Sequence, residues 1–139
     1  MYKNILVPVD LDHDQIGEGP LLLARHIGGP EAKITLLTVT EAAFHAGAAH
    51  VPQEALAAHD SDIRARLRAL AREVDGAIEV VVRHGDPAGE ILDEATAIGA
   101  DAIVLASHRP NFRNHMLGST ASRVVKHASC SVVVHRSSL

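Results

Sequence analysis

The chain predicts an α/β protein: a single-domain, doubly wound, five-stranded parallel sheet with four helices. Three observations carry that reading. Short apolar runs alternate with amphipathic stretches from one end to the other, the pattern of repeated β-α-β units. The apolar palette is Val, Ile, Leu and Ala, with one Tyr, two Phe and no Trp, which suits strands buried on both faces. At 139 residues the chain is long enough to bury a core without staples.

Each element follows from local pattern. Residues 4–9 are an apolar run closed by Pro8 and Asp10, a buried strand. Residues 17–26 follow as a helix, with Leu21, Leu22, Leu23 and Ala24 facing the sheet and Gly28-Gly29-Pro30 stopping it. Residues 33–40 are a second strand. The Ala- and Gly-rich stretch 41–51, with His45 and His50, predicts a mobile surface loop. Pro52 suits the first turn of a longer helix. In that helix Ile63, Leu67, Leu70 and Val74 form one apolar stripe, with Arg64, Arg66, Arg68 and Arg72 on the solvent side. Residues 77–82 are a third strand. Asp86 caps the next helix, Pro87 takes its first position, and residues 88–98 run to a C-cap at Gly99. The last elements are a strand over 101–105, a helix over 119–127 and a strand over 131–135. Helical crossovers between short apolar strands favour a parallel sheet covered on both faces.

Composition removes several classes of function. A formal charge of −4 gives no general attraction to nucleic acid or to anionic membranes. So few aromatics leave no stacking platform for single-stranded nucleic acid. One cysteine, Cys130, cannot form an internal disulfide and reads as a small buried thiol. Residues 1–10 lead directly into a strand and lack the apolar core of a signal peptide, and no apolar run suits a membrane span. A cytoplasmic protein without membrane insertion is the expectation. Ten histidines invite a metal, yet no HExxH and no Cys/His cluster has ligand spacing, so no metal ligand is assigned. Ser107 and His108 are neighbours on extended chain and point to opposite faces, so they make no nucleophile–base pair. A P-loop is absent.

Candidate chemistry lies in the last third. The apolar strand Ile103-Val104-Leu105 runs into Ser107, His108 and Arg109, and Leu117-Gly118-Ser119-Thr120 then opens a helix. The first N–H groups of a helix lack intrahelical partners and sit at the positive end of its dipole, a ready anion site. Gly118 lets the backbone approach closely, and Ser119 and Thr120 add hydroxyl donors. Such sheets bind ligands at the carboxyl ends of their strands, near the topological switch point. That rim gathers residues 8–10, 39–40 and 105–109.

The motifs ILVPVD, LLTVTE, GDPAGEIL, GADAIVLASHR and LGSTASRVVKHASCSVVV, in this order over nearly the whole chain, resemble the universal stress protein family. The resemblance implies a Rossmann-like fold of the adenine nucleotide alpha hydrolase type and one such domain over residues 1–139. ATP-binding members carry G-x2-G-x9-G-[S/T] between the fourth strand and the last helix. Here Ala106 and Arg109 stand where the two glycines belong, and the spacer from Pro110 to Leu117 is one residue short. SHRP followed by LGS is similar to a variant branch that retains ATP. By that resemblance Pro8 and Asp10 line the adenosine pocket, Val39 offers backbone hydrogen bonds to adenine, and Leu105 lies against the base. Ala106, His108 and Arg109 border ribose and phosphates, and Gly118, Ser119 and Thr120 hold the phosphates. The implied ligand is ATP, AMP or ADP, alone or with Mg2+, acting as an effector on a stress response or on an unknown protein partner. The resemblance also implies a homodimer through strand 131–134 (Ser131 to Val134), with a tetramer as the next state. Two rivals stand beside this reading: a nucleotide-free interaction module and a slow ATPase.

Overall fold

The computed structural model describes residues 1–11, 18–41, 52–107 and 117–136. Five strands, β1 (Asn4–Pro8), β2 (Lys33–Glu41), β3 (Ile78–Gly85), β4 (Ala102–Ala106) and β5 (Ser131–His135), lie in the order β3-β2-β1-β4-β5. Every pairing is parallel. The helices are α1 (Gly19–Gly28), α2 (Gln53–Ala71), α3 (Pro87–Ile98) and α4 (Ser119–His127).

Alternation along the strands divides the core into two layers. Ile5, Val7, Ile34, Leu36, Ala102 and Val104 pack with α1 and α2 on one face; Leu6, Leu37, Ile103 and Leu105 pack with α3 and α4 on the other. The sheet is thus covered on both sides, as a doubly wound parallel sheet requires.

Element ends have local causes. Asp86 caps α3, its carboxylate accepting from Gly89 N at 3.0 Å. Gly99 closes the same helix in the left-handed region at φ 66°, where a glycine escapes the Cβ clash. At the amino ends of the strands the Asp101 carboxylate accepts from the amides of Lys3 (2.8 Å) and Asn4 (3.1 Å).

The structure corrects several boundaries. Strand β1 ends at Pro8 and β4 at Ala106. Helix α1 starts at Gly19 and runs to Gly28; Gly17 lies outside the described residues. Of the four residues expected against the sheet, Leu21 and Ala24 are buried but Leu22 is 47% exposed, because consecutive helical residues turn about 100° apart. Pro52 is the N-cap of α2, and α2 ends at Ala71. Val74 is still buried beyond it, completing the stripe of Ile63, Leu67 and Leu70. Of the four arginines, Arg66, Arg68 and Arg72 are exposed and Arg64 is half-buried. Strand β3 continues through Arg83 and His84 to Gly85, paired with β2 as far as Glu41. The polar residues did not end it because Arg83 is bonded to Glu90 and Glu94 of α3.

Among the described residues, no helix is long and apolar enough to cross a membrane.

Candidate functional site

At the carboxyl rim of the sheet one proline ends the hydrogen-bond ladder between β1 and β4. Along a strand, successive peptide groups face opposite neighbours. Asn4 O accepts from Asp101 N (2.9 Å), on the β4 side, whereas Val9 N donates to Leu37 O (2.8 Å), on the β2 side. Even-numbered residues of β1 therefore turn their N–H and C=O toward β4. The register Leu6↔Ile103 would next bring an N–H at position 8 to the Val104 carbonyl, but Pro8 has none to give. The β1–β4 ladder stops at Leu6↔Ile103, while β1–β2 runs on to Pro8↔Leu37 and β4–β5 to Ala106↔His135. The end of the β1–β4 ladder lies at the point where the winding of the sheet reverses, the place at which open α/β sheets receive ligands.

A second unladdered peptide faces the same rim. Leu37 turns its peptide toward β1, so Val39, two residues on, does the same. By then β1 has ended, and the Val9 carbonyl accepts instead from Thr38 Oγ at 2.9 Å. Among the described residues, the Val39 peptide therefore turns one donor and one acceptor toward the rim. Half-buried Val39, buried Leu105 and half-buried Leu117 share one apolar cluster on the α4 face.

The third wall is the start of α4. Gly118 is its N-cap, with φ −62° and ψ 162° and no side-chain cap. Its own N–H is used, donating to Ser107 O at 2.9 Å, while Ser107 N donates to His135 O at 3.1 Å. The helix start is thereby stitched to the ends of β4 and β5. Its anion-seeking donors are the amides after Gly118 and the hydroxyls of exposed Ser119 and half-buried Thr120. The φ of Gly118 is open to any residue.

The structure places Pro8, Asp10, Val39, Leu105, Ala106, Gly118, Ser119 and Thr120 at the carboxyl ends of β1, β2 and β4 and the start of α4. Asp10 is exposed; Pro8 is half-buried. Ala106 is the last residue of β4, in register with His135 and exposed. It thus occupies extended backbone and not a turn. His108 and Arg109 lie outside the described residues, as do His45, His50 and His115. Among the described residues no group of three His, Cys, Asp or Glu is placed to hold a metal ion.

Sequence reasoning passed over several polar links around this rim. Arg123 of α4 forms a two-bond fork with Asp86 at 2.9 Å per bond, joining α4 to the cap of α3. That guanidinium, with the Gly89 amide second, holds the Asp86 carboxyl below the usual carboxylate range. His84 Nε2 bonds Asp60 Oδ2 at 3.0 Å, and its Nδ1 is hydrogen-bonded to Thr40 Oγ, which fastens α2 to the strand ends beside Val39. Arg66 Nη2 donates to Leu11 O at 2.8 Å. Partners so far apart in the chain leave no local signal. Cys130 lies at the opposite end of the sheet, before β5, and is half-buried where a buried thiol was expected; even so, desolvation pushes its thiol up.

The universal stress protein family model matches residues 1–136. Universal stress protein G of Escherichia coli O157:H7 is 31% identical over 142 aligned positions, covering 98% of this chain and 100% of that protein. The structure of universal stress protein UspA from Lactobacillus plantarum is similar at 32% identity and a TM-score of 0.72, covering 97% of this chain and 98% of that one. A universal stress protein from Archaeoglobus fulgidus, solved in complex with dAMP, shares the fold at a TM-score of 0.63 and 22% identity, covering 96% and 97%. With the family matched across nearly its whole length, this chain belongs to the universal stress protein family.

Proposed function

We propose that this chain binds an adenine nucleotide (ATP, ADP or AMP) at the carboxyl rim and uses it as an effector, not as a fuel. The observation that carries the reading is the end of the β1–β4 ladder before Pro8, on the rim that also holds the Val39 peptide and the start of α4. A donor and an acceptor on one peptide suit the edge of adenine, which offers both. Asp10 is a carboxylate suited to accept from ribose hydroxyls. The uncapped helix start suits phosphate. Arg109 adds a charged fork to the phosphates by family resemblance, and a Mg2+ carried by ATP needs few protein ligands. The dAMP complex of the Archaeoglobus fulgidus relative supports the ligand class. The nucleotide bridges β1, β2 and α4, and so biases a partner surface or assembly.

Calorimetry with ATP, ADP and AMP, with and without Mg2+, tests this on the wild type and on Gly118→Val. Micromolar binding by the wild type, weakened at least about tenfold in the variant (about 1.4 kcal/mol), is the expected result. Absence of both heat and thermal shift in the wild type refutes nucleotide binding and leaves a family member acting through its surface alone. ADP release that keeps pace with ATP addition refutes the effector role in favour of a slow ATPase.

A further inference from the structure

The chain around Asp10 is held from two directions. On one side Val9 is fixed to β2: its N–H donates to Leu37 O at 2.8 Å and its carbonyl accepts from Thr38 Oγ at 2.9 Å. On the other side Leu11 is fixed to α2, where Arg66 Nη2 donates to its carbonyl oxygen at 2.8 Å. The Leu11 side chain is half-buried against the core under α1 and α2. Asp10 is the exposed residue between these anchors. Ile63 and Leu67 seat α2 in the core, which leaves Arg66 on the flank opposite Arg64, Arg68 and Arg72.

We infer that Arg66 is a positioning residue for Asp10, and that through it the site prefers a ribose over a 2′-deoxyribose nucleotide. The inference rests on the nucleotide reading proposed above. A guanidinium-to-carbonyl bond is charge-assisted and directional. It sets the course of the backbone one residue past Asp10. A carboxylate accepts from two neighbouring ribose hydroxyls only within a narrow range of distance and angle, because hydrogen bonds weaken steeply away from it. The Val39 peptide and the start of α4 are built without Arg66, so adenine and phosphate recognition do not depend on it. Its loss is felt where the hydroxyls are read.

The test is calorimetric affinity for AMP and for 2′-deoxy-AMP in the wild type, Arg66→Ala, Arg66→Lys and Arg68→Ala, with thermal melts to confirm folding. The wild type is expected to prefer AMP by about tenfold, the worth of a hydrogen bond to a charged group. Arg66→Ala removes that preference while changing 2′-deoxy-AMP affinity by less than about threefold. Arg66→Lys restores most of it, since one donor suffices, and Arg68→Ala leaves both affinities as they were. In an Asp10→Ala background Arg66→Ala has no further effect on the ratio, the signature of two residues acting as one. Should Arg66→Ala melt early, Arg66→Gln carries the same comparison. A variant that keeps the wild-type preference, or loses both ligands equally, overturns the role of Arg66 and leaves the nucleotide reading standing. A wild type that binds neither ligand overturns both.

Discussion

Pro8 shows how one residue shapes a site without touching ligand chemistry. Its ring removes an N–H at a position whose peptide faces β4, and the β1–β4 ladder ends there. A proline at an odd-numbered position of β1 would instead have cut the ladder to β2. Pro8→Ala restores the donor opposite the Val104 carbonyl and lets the β1–β4 ladder advance by one bond. Adenine-nucleotide affinity should then fall several-fold. Stability should change by no more than about 1 kcal/mol, because the new hydrogen bond offsets the freer unfolded chain. Paired calorimetry and urea unfolding check both halves; unchanged affinity would show that the break plays no part in binding. Pro8 and Asp10 were legible in the sequence as residues at the carboxyl end of the first strand. The direction in which Pro8 withholds its donor was not, since that depends on which strand lies on each side.

At the scale of elements, the site depends on helices being held to one another. Helix α4 is anchored at Gly118 to the end of β4 and at Arg123 to the cap of α3. Asp86 serves two helices, and both bonds favour its ionised form, so its folded pKa is below its unfolded one. Its stabilisation is therefore present above the unfolded value and lost as pH falls through the folded value. In Arg123→Ala the larger cause is gone. The Asp86 carboxyl, followed by carbon NMR through an acid titration, should titrate at higher pH than in the wild type, still held somewhat low by the Gly89 amide. Equal titration in both proteins would mean that the fork does not persist in solution. The Asp86-Pro87 start and Gly99 stop of α3 were readable because caps are local. The reach of β3 to Gly85 was not, because Arg83 is satisfied by Glu90 and Glu94 across the packing interface.

For the molecule as a whole, the ends of the sheet matter most. Strand β5 lies at one edge and pairs with β4. Ser107 N donates to the His135 carbonyl, so Val132 and Val134 turn their peptides outward, toward the open edge. An apolar edge of this kind invites a second copy of itself, and the homodimer that the family resemblance implies would use it. Val132→Pro removes an outward N–H while sparing the bonds to β4. Sedimentation should show a wild-type dimer and a monomeric variant whose melting temperature is little changed. A variant that still dimerises would place the interface elsewhere.

The sequence by itself determined the element order, the parallel sheet, the helix caps, the family and the residues of the rim, all of which are written in spacing and in local backbone chemistry. Tertiary structure alone decided that the β1–β4 ladder ends at Leu6, that among the described residues the Val39 peptide has no partner on the β1 side, and that Arg66 and His84 tie α2 to the strand ends while Arg123 ties α4 to the cap of α3. Those features depend on which chain segment stands beside which. Contacts between residues tens of positions apart leave no periodicity in the sequence from which they could be read.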